Sequence, residues 1–492
     1  MSLRQNQQLV VAVVYVAAMF MAIMDTTIVN VALPTLGREF HTRADGVDLV
    51  SIAFLVSLAV FIPVSGWLGD RIGGRRALLG AIGVFTIASA LCGLATSLAE
   101  LVVFRVLQGV GGGLMTPVGL SMLFRVFPPA ERVRAASILV VPTALAPASG
   151  PVLGGLFTTD LSWRWVFYVN APIGVAAFAF GALFLAGHRQ PDPGRLDIPG
   201  FLLSGLGLGS VMYGVSEGPI TSWSSVPVIA TIAIGLALLA AAIAAELRAA
   251  NPLIDLRLFR DRLFSATTGV FVLGSTAFLG ALYLAALFFQ DGLGRSALRS
   301  GLTIFPQALG VMAGSQLATR LLYPRFGPRR IMIGGLLVVT GTLMLMARVT
   351  ADTDEWLLRL VMLAFGVGMS GVFVPAQAAS FATISPARTG RASSIFNAGK
   401  QLGGAIGVAL MTTVLAAIGP TRGVGVANLA AFHDSFLVAA AVAVVAAVVA
   451  LTVHDADAAA TMVRRPHHHS PQDTGRAGRH PDRSDTPLQL RD

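Results

Sequence analysis

Gly66-Trp67-Leu68-Gly69-Asp70-Arg71-Ile72-Gly73-Gly74-Arg75-Arg76 joins two apolar runs, 48–68 and 77–96. Each run is about 20 residues, the length at which a helix crosses the hydrocarbon core of a bilayer. The join is short, glycine-rich and cationic. It recurs: Arg71, Gly73, Arg75 and Arg76 return as Arg325, Gly327, Arg329 and Arg330, each displaced by 254. Arg105 returns as Arg359 at the same offset. Gly109 and Gly111 return as Gly366 and Gly368, and Arg134-Ala135-Ala136-Ser137 as Arg391-Ala392-Ser393-Ser394, all displaced by 257. A near-constant offset across separate features marks an internal duplication.

Working outward, about fourteen such runs cover the chain: 8–33, 48–68, 77–96, 99–123, 135–158, 165–186, 198–216, 226–246, 264–289, 301–323, 330–348, 356–380, 393–418 and 432–453. An even number fits inside the offset, so the repeats are parallel, and parallel repeats around a central site are a transporter architecture. The expected fold is an all-α membrane protein. Residues 1–190 would form one six-helix bundle, 191–262 two linking helices, 263–453 a second bundle, and 454–492 a disordered polar tail.

Composition agrees. Of 492 residues, 55% are hydrophobic and 12% charged; the charged share is roughly half that of a soluble domain. Mean hydropathy is +0.74. The net charge of +10 suggests nucleic acid until its location is considered, since most of it lies in short loops. Assigning connections to alternate sides puts 25 arginines on the side of the termini and seven on the other, which predicts cytoplasmic termini. The first run is too long for a signal-peptide core and reads as a retained helix. Cys92 is the sole cysteine, so no internal disulfide forms. His467, His468 and His469 sit in the polar tail and read as low-complexity sequence rather than a metal site.

Nearly all 25 acidic residues fall in loops or at span ends; Asp25 lies well within the first run. A charged carboxylate there is strongly desolvated, which suits a group that loads and releases a proton as access changes sides. The competing reading is a neutral aspartate holding helices together through Thr26, Thr27 or Asn30. Arg105, about two turns inside its run, must face protein or a water-filled space; it is the expected modulator of Asp25. Asn30, Gln108 and Lys400 are expected on the substrate cavity. Lys400, the chain's only lysine, would attract anions, repel cations, carry a proton or snorkel to the surface. Glu217 and Asp434 read as solvated groups near outer span ends. No Walker loop, HExxH or GxSxG pattern is present, which argues against ATP drive and membrane-enzyme chemistry.

The loop at 66–76 resembles the signature loop of the major facilitator superfamily. The resemblance makes Gly66, Asp70, Arg71, Gly73, Arg75 and Arg76 gating residues, with Asp70 latching one state. Arg105 with Gln108, Gly109, Gly111, Gly112 and Gly113 is similar to the family's second motif. Pro147, Gly150, Pro151, Gly154 and Gly155 resemble the motif that marks its antiporters. Asp25-Thr26-Thr27-Ile28-Val29-Asn30-Val31-Ala32-Leu33-Pro34 resembles the first-helix motif of the fourteen-span drug:proton antiporters. Trp163 through Pro172, Asp197 through Gly200, Pro252 through Phe259 and Asn397 through Gly404 fit the same subfamily. Departures are Asp48, Phe54, and Pro324 at the position corresponding to Asp70, which would leave the second latch incomplete. The resemblance implies proton-coupled export of small lipophilic molecules, a monomer in a cell membrane, no cofactor and no metal. Export of one physiological substrate, such as a self-made antibiotic, amino acid or lipid, is the alternative use of the same machinery. A transport-dead sensor is a remote alternative.

Overall fold

The computed structural model describes residues 3–42, 47, 49–187, 196–218, 221–248, 254–419 and 428–462. Asp48 and residues 463–492, including the three tail histidines, lie outside this set. Among the described residues there is no strand. The chain is helix throughout, as backbone polar groups in hydrocarbon require. It is a multi-span membrane protein.

The elements are α1 (Leu3–Glu39), α2 (Leu49–Ile72), α3 (Gly74–Leu94), α4 (Leu98–Val126), α5 (Arg132–Ile138), α6 (Val140–Asp160), α7 (Trp165–Tyr168), α8 (Asn170–Phe184), α9 (Ile198–Glu217), α10 (Val226–Arg248), α11 (Arg262–Leu287), α12 (Ala297–Ile304), α13 (Pro306–Leu317), α14 (Tyr323–Met346), α15 (Glu355–Ser380), α16 (Thr389–Ile418), α17 (Leu429–Ala450) and α18 (Ala459–Met462). Among the described residues, twelve helical runs are long and apolar enough to cross a membrane. This is fewer than the fourteen expected. One of the twelve, Arg299–Met346, is 48 residues long and is interrupted at Gly327, whose φ of 73° and ψ of 170° are not helical. The 21-residue α6 is not among the twelve. Large side chains on outer faces stay uncovered by protein, such as Leu183 and Val226, both over 75% exposed. Such faces need lipid.

The repeated glycines do the same job twice. A Cβ on Gly109 would lie 2.6 Å from the Phe54 carbonyl of α2, and one on Gly111 would lie 2.7 Å from the Phe85 nitrogen of α3. In the second repeat, a Cβ on Gly366 would lie 2.8 Å from the Val311 nitrogen of α13, and one on Gly368 would lie 2.8 Å from the Gly335 carbonyl of α14. So α4 is clasped by α2 and α3 as α15 is by α13 and α14. Small residues allow this backbone approach, which dispersion then rewards.

The expected tail begins later than residue 454. Residues 454–462 form turns and α18, and the segment is anchored. Asp455 Oδ1 accepts the Arg329 N–H at 2.9 Å, and the Tyr323 and Thr461 hydroxyls lie 2.7 Å apart. Asp455 thus caps the helical turn restarting after Gly327, a different contact from the Asp70–Arg125 pair, and Pro324 leaves its own position without a carboxylate. Meanwhile α18 also touches the 3₁₀ turn Pro129–Glu131 of the first repeat.

Gly109→Ala and Gly366→Ala should each cost about 1–3 kcal/mol through overpacking. Gly341→Ala, where a Cβ meets nothing within 4 Å, should be neutral or stabilising by up to about 1 kcal/mol. Thermal unfolding in detergent checks both.

Candidate functional site

Two polar centres lie on α4, twenty residues apart, and therefore about 30 Å apart along its axis. The first surrounds Asp25. Its Oδ2 accepts Arg105 Nη1 at 2.5 Å. Its Oδ1 accepts Gln108 Nε2 at 2.8 Å and Asn170 Nδ2 at 3.0 Å. Three side-chain donors thus converge on one carboxylate. Arg105 also gives Nε to the Val50 carbonyl at 3.0 Å and Nη1 to Gln108 Oε1 at 2.7 Å. Its guanidinium lies 4.2 Å from the Phe54 ring centroid. Ser89 Oγ accepts from Gln108 and Asn170, both at 3.1 Å. Asp25, Ser89, Gln108 and Asn170 are fully buried, and Arg105 is 1% exposed.

This cluster draws on α1, α2, α3, α4 and α8. Sequence reasoning placed Asp25 and Arg105 correctly as inward-facing residues, and the structure brings them together. It put Gln108 on the substrate cavity; instead Gln108 is sealed into the carboxylate's own shell. Ser89 was missed and Asn170 was noted only within a motif. Their signal was faint, because single Ser and Asn residues are ordinary in membrane helices. Thr26 and Thr27 bond to backbone carbonyls of their own helix, not to Asp25.

The second centre lies at the arginine-rich end. Asp70 Oδ1 accepts Arg125 Nη2 at 2.6 Å. Here α2 crosses the start of α16. A Cβ on Gly66 would lie 2.8 Å from the Gly390 carbonyl. The Gly66 N–H donates to Ser394 Oγ at 3.1 Å, and the Ser65 and Ser394 hydroxyls are 2.9 Å apart. The Asp70 carboxylate also borders Gly390 near the α16 N-terminus, where a negative charge is favoured. Nearby, Phe124 stacks on Phe381 with centroids 4.6 Å apart, and Arg132 donates to the Phe381 carbonyl. The two repeats meet at this end. Gly73, at φ 89°, turns the chain into α3. Arg75 donates to the Ala182 carbonyl of α8 at 2.5 Å; Arg71 and Arg76 are exposed. Arg125 was counted in sequence only as a topology charge, because an arginine at a helix end reads that way.

The α6 motif packs on α1. A Cβ on Gly150 would lie 3.0 Å from the Ile28 nitrogen, and one on Gly154 would lie 3.0 Å from Val31 Cβ. Gly155 meets nothing within 4 Å. Pro147 is half-buried; the Pro151 side chain lies outside the described set. Asn30 is exposed and accepts Ser51 Oγ at 3.0 Å. Asp197 and Asp255 cap the N-termini of α9 and the 3₁₀ turn Leu256–Arg260, and Asp255 pairs with Arg388 at 2.8 Å. Arg359, the repeat of Arg105, instead pairs with Glu355 at 3.4 Å. The buried charge pair thus belongs to the first repeat alone. Among the described residues no group of acidic, histidine or cysteine side chains could hold a metal ion.

A duplicated membrane-helix protein with one sealed charge pair and a glycine-lined crossing belongs with the carriers that work by duplicated halves. The description Major Facilitator Superfamily matches residues 15–408 and 325–484. The chain is 34% identical over 406 residues to the "Multidrug resistance protein B homolog" of Mycobacterium tuberculosis, covering 82% of this chain and 75% of that one. It is 32% identical to the "Putative multidrug resistance protein MdtD" of Salmonella paratyphi A (84% and 87% covered), and 30% identical to the "Tetracenomycin C resistance and export protein" of Streptomyces glaucescens (80% and 74% covered). Its fold is similar to the solved human organic anion transporter MFSD10, at a TM-score of 0.62 and 15% identity, covering 92% of this chain and all of that one. The chain belongs to the major facilitator superfamily.

Arg105→Met would leave the buried Asp25 carboxylate without its partner, and should cost about 3–5 kcal/mol in thermal unfolding. In a Cys92→Ser background, Ser65→Cys with Ser394→Cys should cross-link under mild oxidation, as read by gel mobility after proteolysis between the repeats.

Proposed function

We propose that the protein exports small lipophilic organic molecules by proton-coupled antiport with alternating access. The observation that carries this reading is the sealed Asp25–Arg105 pair. One carboxylate on α1 holds donors from α4 and α8, so adding a proton to it weakens contacts among several helices at once. Asn170 Oδ1 is buried without a donor; rotating that carboxamide would offer it to a protonated Asp25. The relatives' printed names, multidrug resistance and tetracenomycin export, support an exporter over an enzyme.

In this reading the chain crosses a cell membrane fourteen times, with α6 as one crossing and Arg299–Met346 as two. Six helices on each side of the α9–α10 pair form two bundles, and the protein works as a monomer. The arginine excess puts both termini in the cytoplasm. The closure of α2 on α16 is then the cytoplasm-closed state, latched by Asp70, held by Arg125, against the α16 N-terminus and by the Gly66–Gly390 crossing. Gly150 and Gly154 seat α6 on α1, coupling that helix to movement of Asp25. The driving force is about 2.3 kcal/mol per charge per 100 mV, plus the pH term. A dedicated exporter of one physiological substrate, such as a self-made antibiotic, is the second reading, supported by the relative named for tetracenomycin C resistance and export; a substrate panel separates the two.

The test is transport in proteoliposomes with an imposed pH gradient, comparing the parent with Asp25→Asn. Gradient-driven movement of lipophilic drugs in the parent should fall at least about tenfold in the variant, with binding retained. Equal transport in the variant removes Asp25 from coupling. No gradient dependence in the parent ends the antiport reading. The oxidised Ser65→Cys, Ser394→Cys pair should block transport reversibly with reductant.

A further inference from the structure

Lys400 sits deeper than its sequence position suggests. The helix that carries it, α16, begins at Thr389 rather than near 393. Lys400 is therefore about three turns, or about 16 Å, from the arginine-rich end. Residues three, four and seven positions away share its face of the helix. On that face Phe396, Asn397, Gly403, Gly404 and Gly407 are all buried in protein. The lysine thus points inward, not at lipid. Yet Lys400 itself is only half-buried. The glycines at 403, 404 and 407 press this face onto α11, where a Cβ would lie 2.6 Å from the Val272 carbonyl, 2.5 Å from Leu279 Cδ1 and closer still to the Thr276 carbonyl, respectively.

Among the described residues Lys400 makes no hydrogen bond or ion pair, and the carboxylates at depth are committed elsewhere. Asp25 is held by Arg105, Asp70 by Arg125, Asp255 by Arg388, and Glu355 by Arg299 and Arg359. The Asp25–Arg105 pair is neutral overall, so Lys400 adds an uncompensated positive charge to the interior. An unpaired ammonium at membrane depth is costly unless water or a ligand reaches it. Partial exposure on an otherwise packed inward face and the missing counter-ion converge on one use.

We infer that Lys400 is the recognition point for an anionic group on the cargo, so that the protein selects amphipathic acids (carboxylates or acidic phenols on an aromatic body) over matched amines. This rests on the export reading for the word cargo, and its test is arranged to fail separately. An ammonium in a partly desolvated site attracts a carboxylate more strongly than its neutral amide, and repels an organic cation.

Because Lys400 is the only lysine, reductive methylation with carbon-13 formaldehyde places a single lysine resonance in the full chain. Lys400→Arg identifies that signal by removing it. Titration in detergent would use 2-naphthoate, 2-naphthamide and 2-naphthylmethylammonium. The expected result is a saturable shift with the naphthoate and at least about tenfold weaker binding of the other two. By competition binding on unmethylated protein, Lys400→Gln should lose the carboxylate preference and Lys400→Arg should keep it. Absence of that preference in the parent, including no saturable binding of naphthoate, or its persistence in Lys400→Gln, overturns the inference. A Lys400-dependent preference without gradient-driven transport would leave the inference standing and sink antiport. Transport of neutral drugs with no carboxylate preference would do the reverse.

Discussion

A carboxylate and a guanidinium held fully out of water impose the strictest condition on this molecule. Desolvating both costs several kcal/mol per ion, and only close geometry and filled hydrogen-bond shells repay it. Asp25 and Arg105 meet that condition with Gln108, Asn170, Ser89 and the Val50 carbonyl. Each of those groups comes from a defined depth on a defined helix. Fixing the pair therefore fixes the rotation and height of α1, α2, α3, α4 and α8 against one another. The glycines at 109 and 111 are a consequence. Arginine reaches aspartate only if α4 lies close against its neighbours, and any side chain at those positions would hold it away.

The same helix carries the second centre. Arg125 reaches Asp70 at the far end of α4, beside the α2–α16 crossing. A rigid element with a charge contact at each end transmits rotation better than translation. This geometry gives a physical route by which a change of charge at Asp25 would reach the Gly66–Gly390 contact without a continuous chain of polar residues.

Much of this is legible in the sequence alone. Hydrophobic run length and the 254-residue offset predicted helices and duplication, because bilayer thickness and close packing leave few other solutions. Asp25 stood out because an acid in an apolar run has to be explained. What stayed hidden depends on partners far apart in sequence. Gln108 looked like a cavity residue, since sequence shows that a side chain is polar but not which helix it faces. Asn170 and Ser89 carry no charge to draw notice. Arg125 was hidden among the arginines that set topology. Asp455 was read as part of a polar tail, because its acceptor role exists only once Gly327 has turned the chain 128 residues earlier. The depth of Lys400 was misjudged because α16 begins earlier, through Thr389 to Ala392, a stretch that reads as loop.

Asp455 and Thr461 give the end of the described chain a mechanical character. The segment from His454 to Met462 is pinned to α14 by two hydrogen bonds and rests on the Pro129–Glu131 turn of the other repeat. It lies like a clasp across the seam between them. Truncation at residue 453, where the polar sequence begins, would leave the Arg329 N–H without its acceptor and free the seam on that side. A fusion placed immediately after Met462 would hang its weight on the clasp, whereas one placed at residue 492 would load it through thirty further residues.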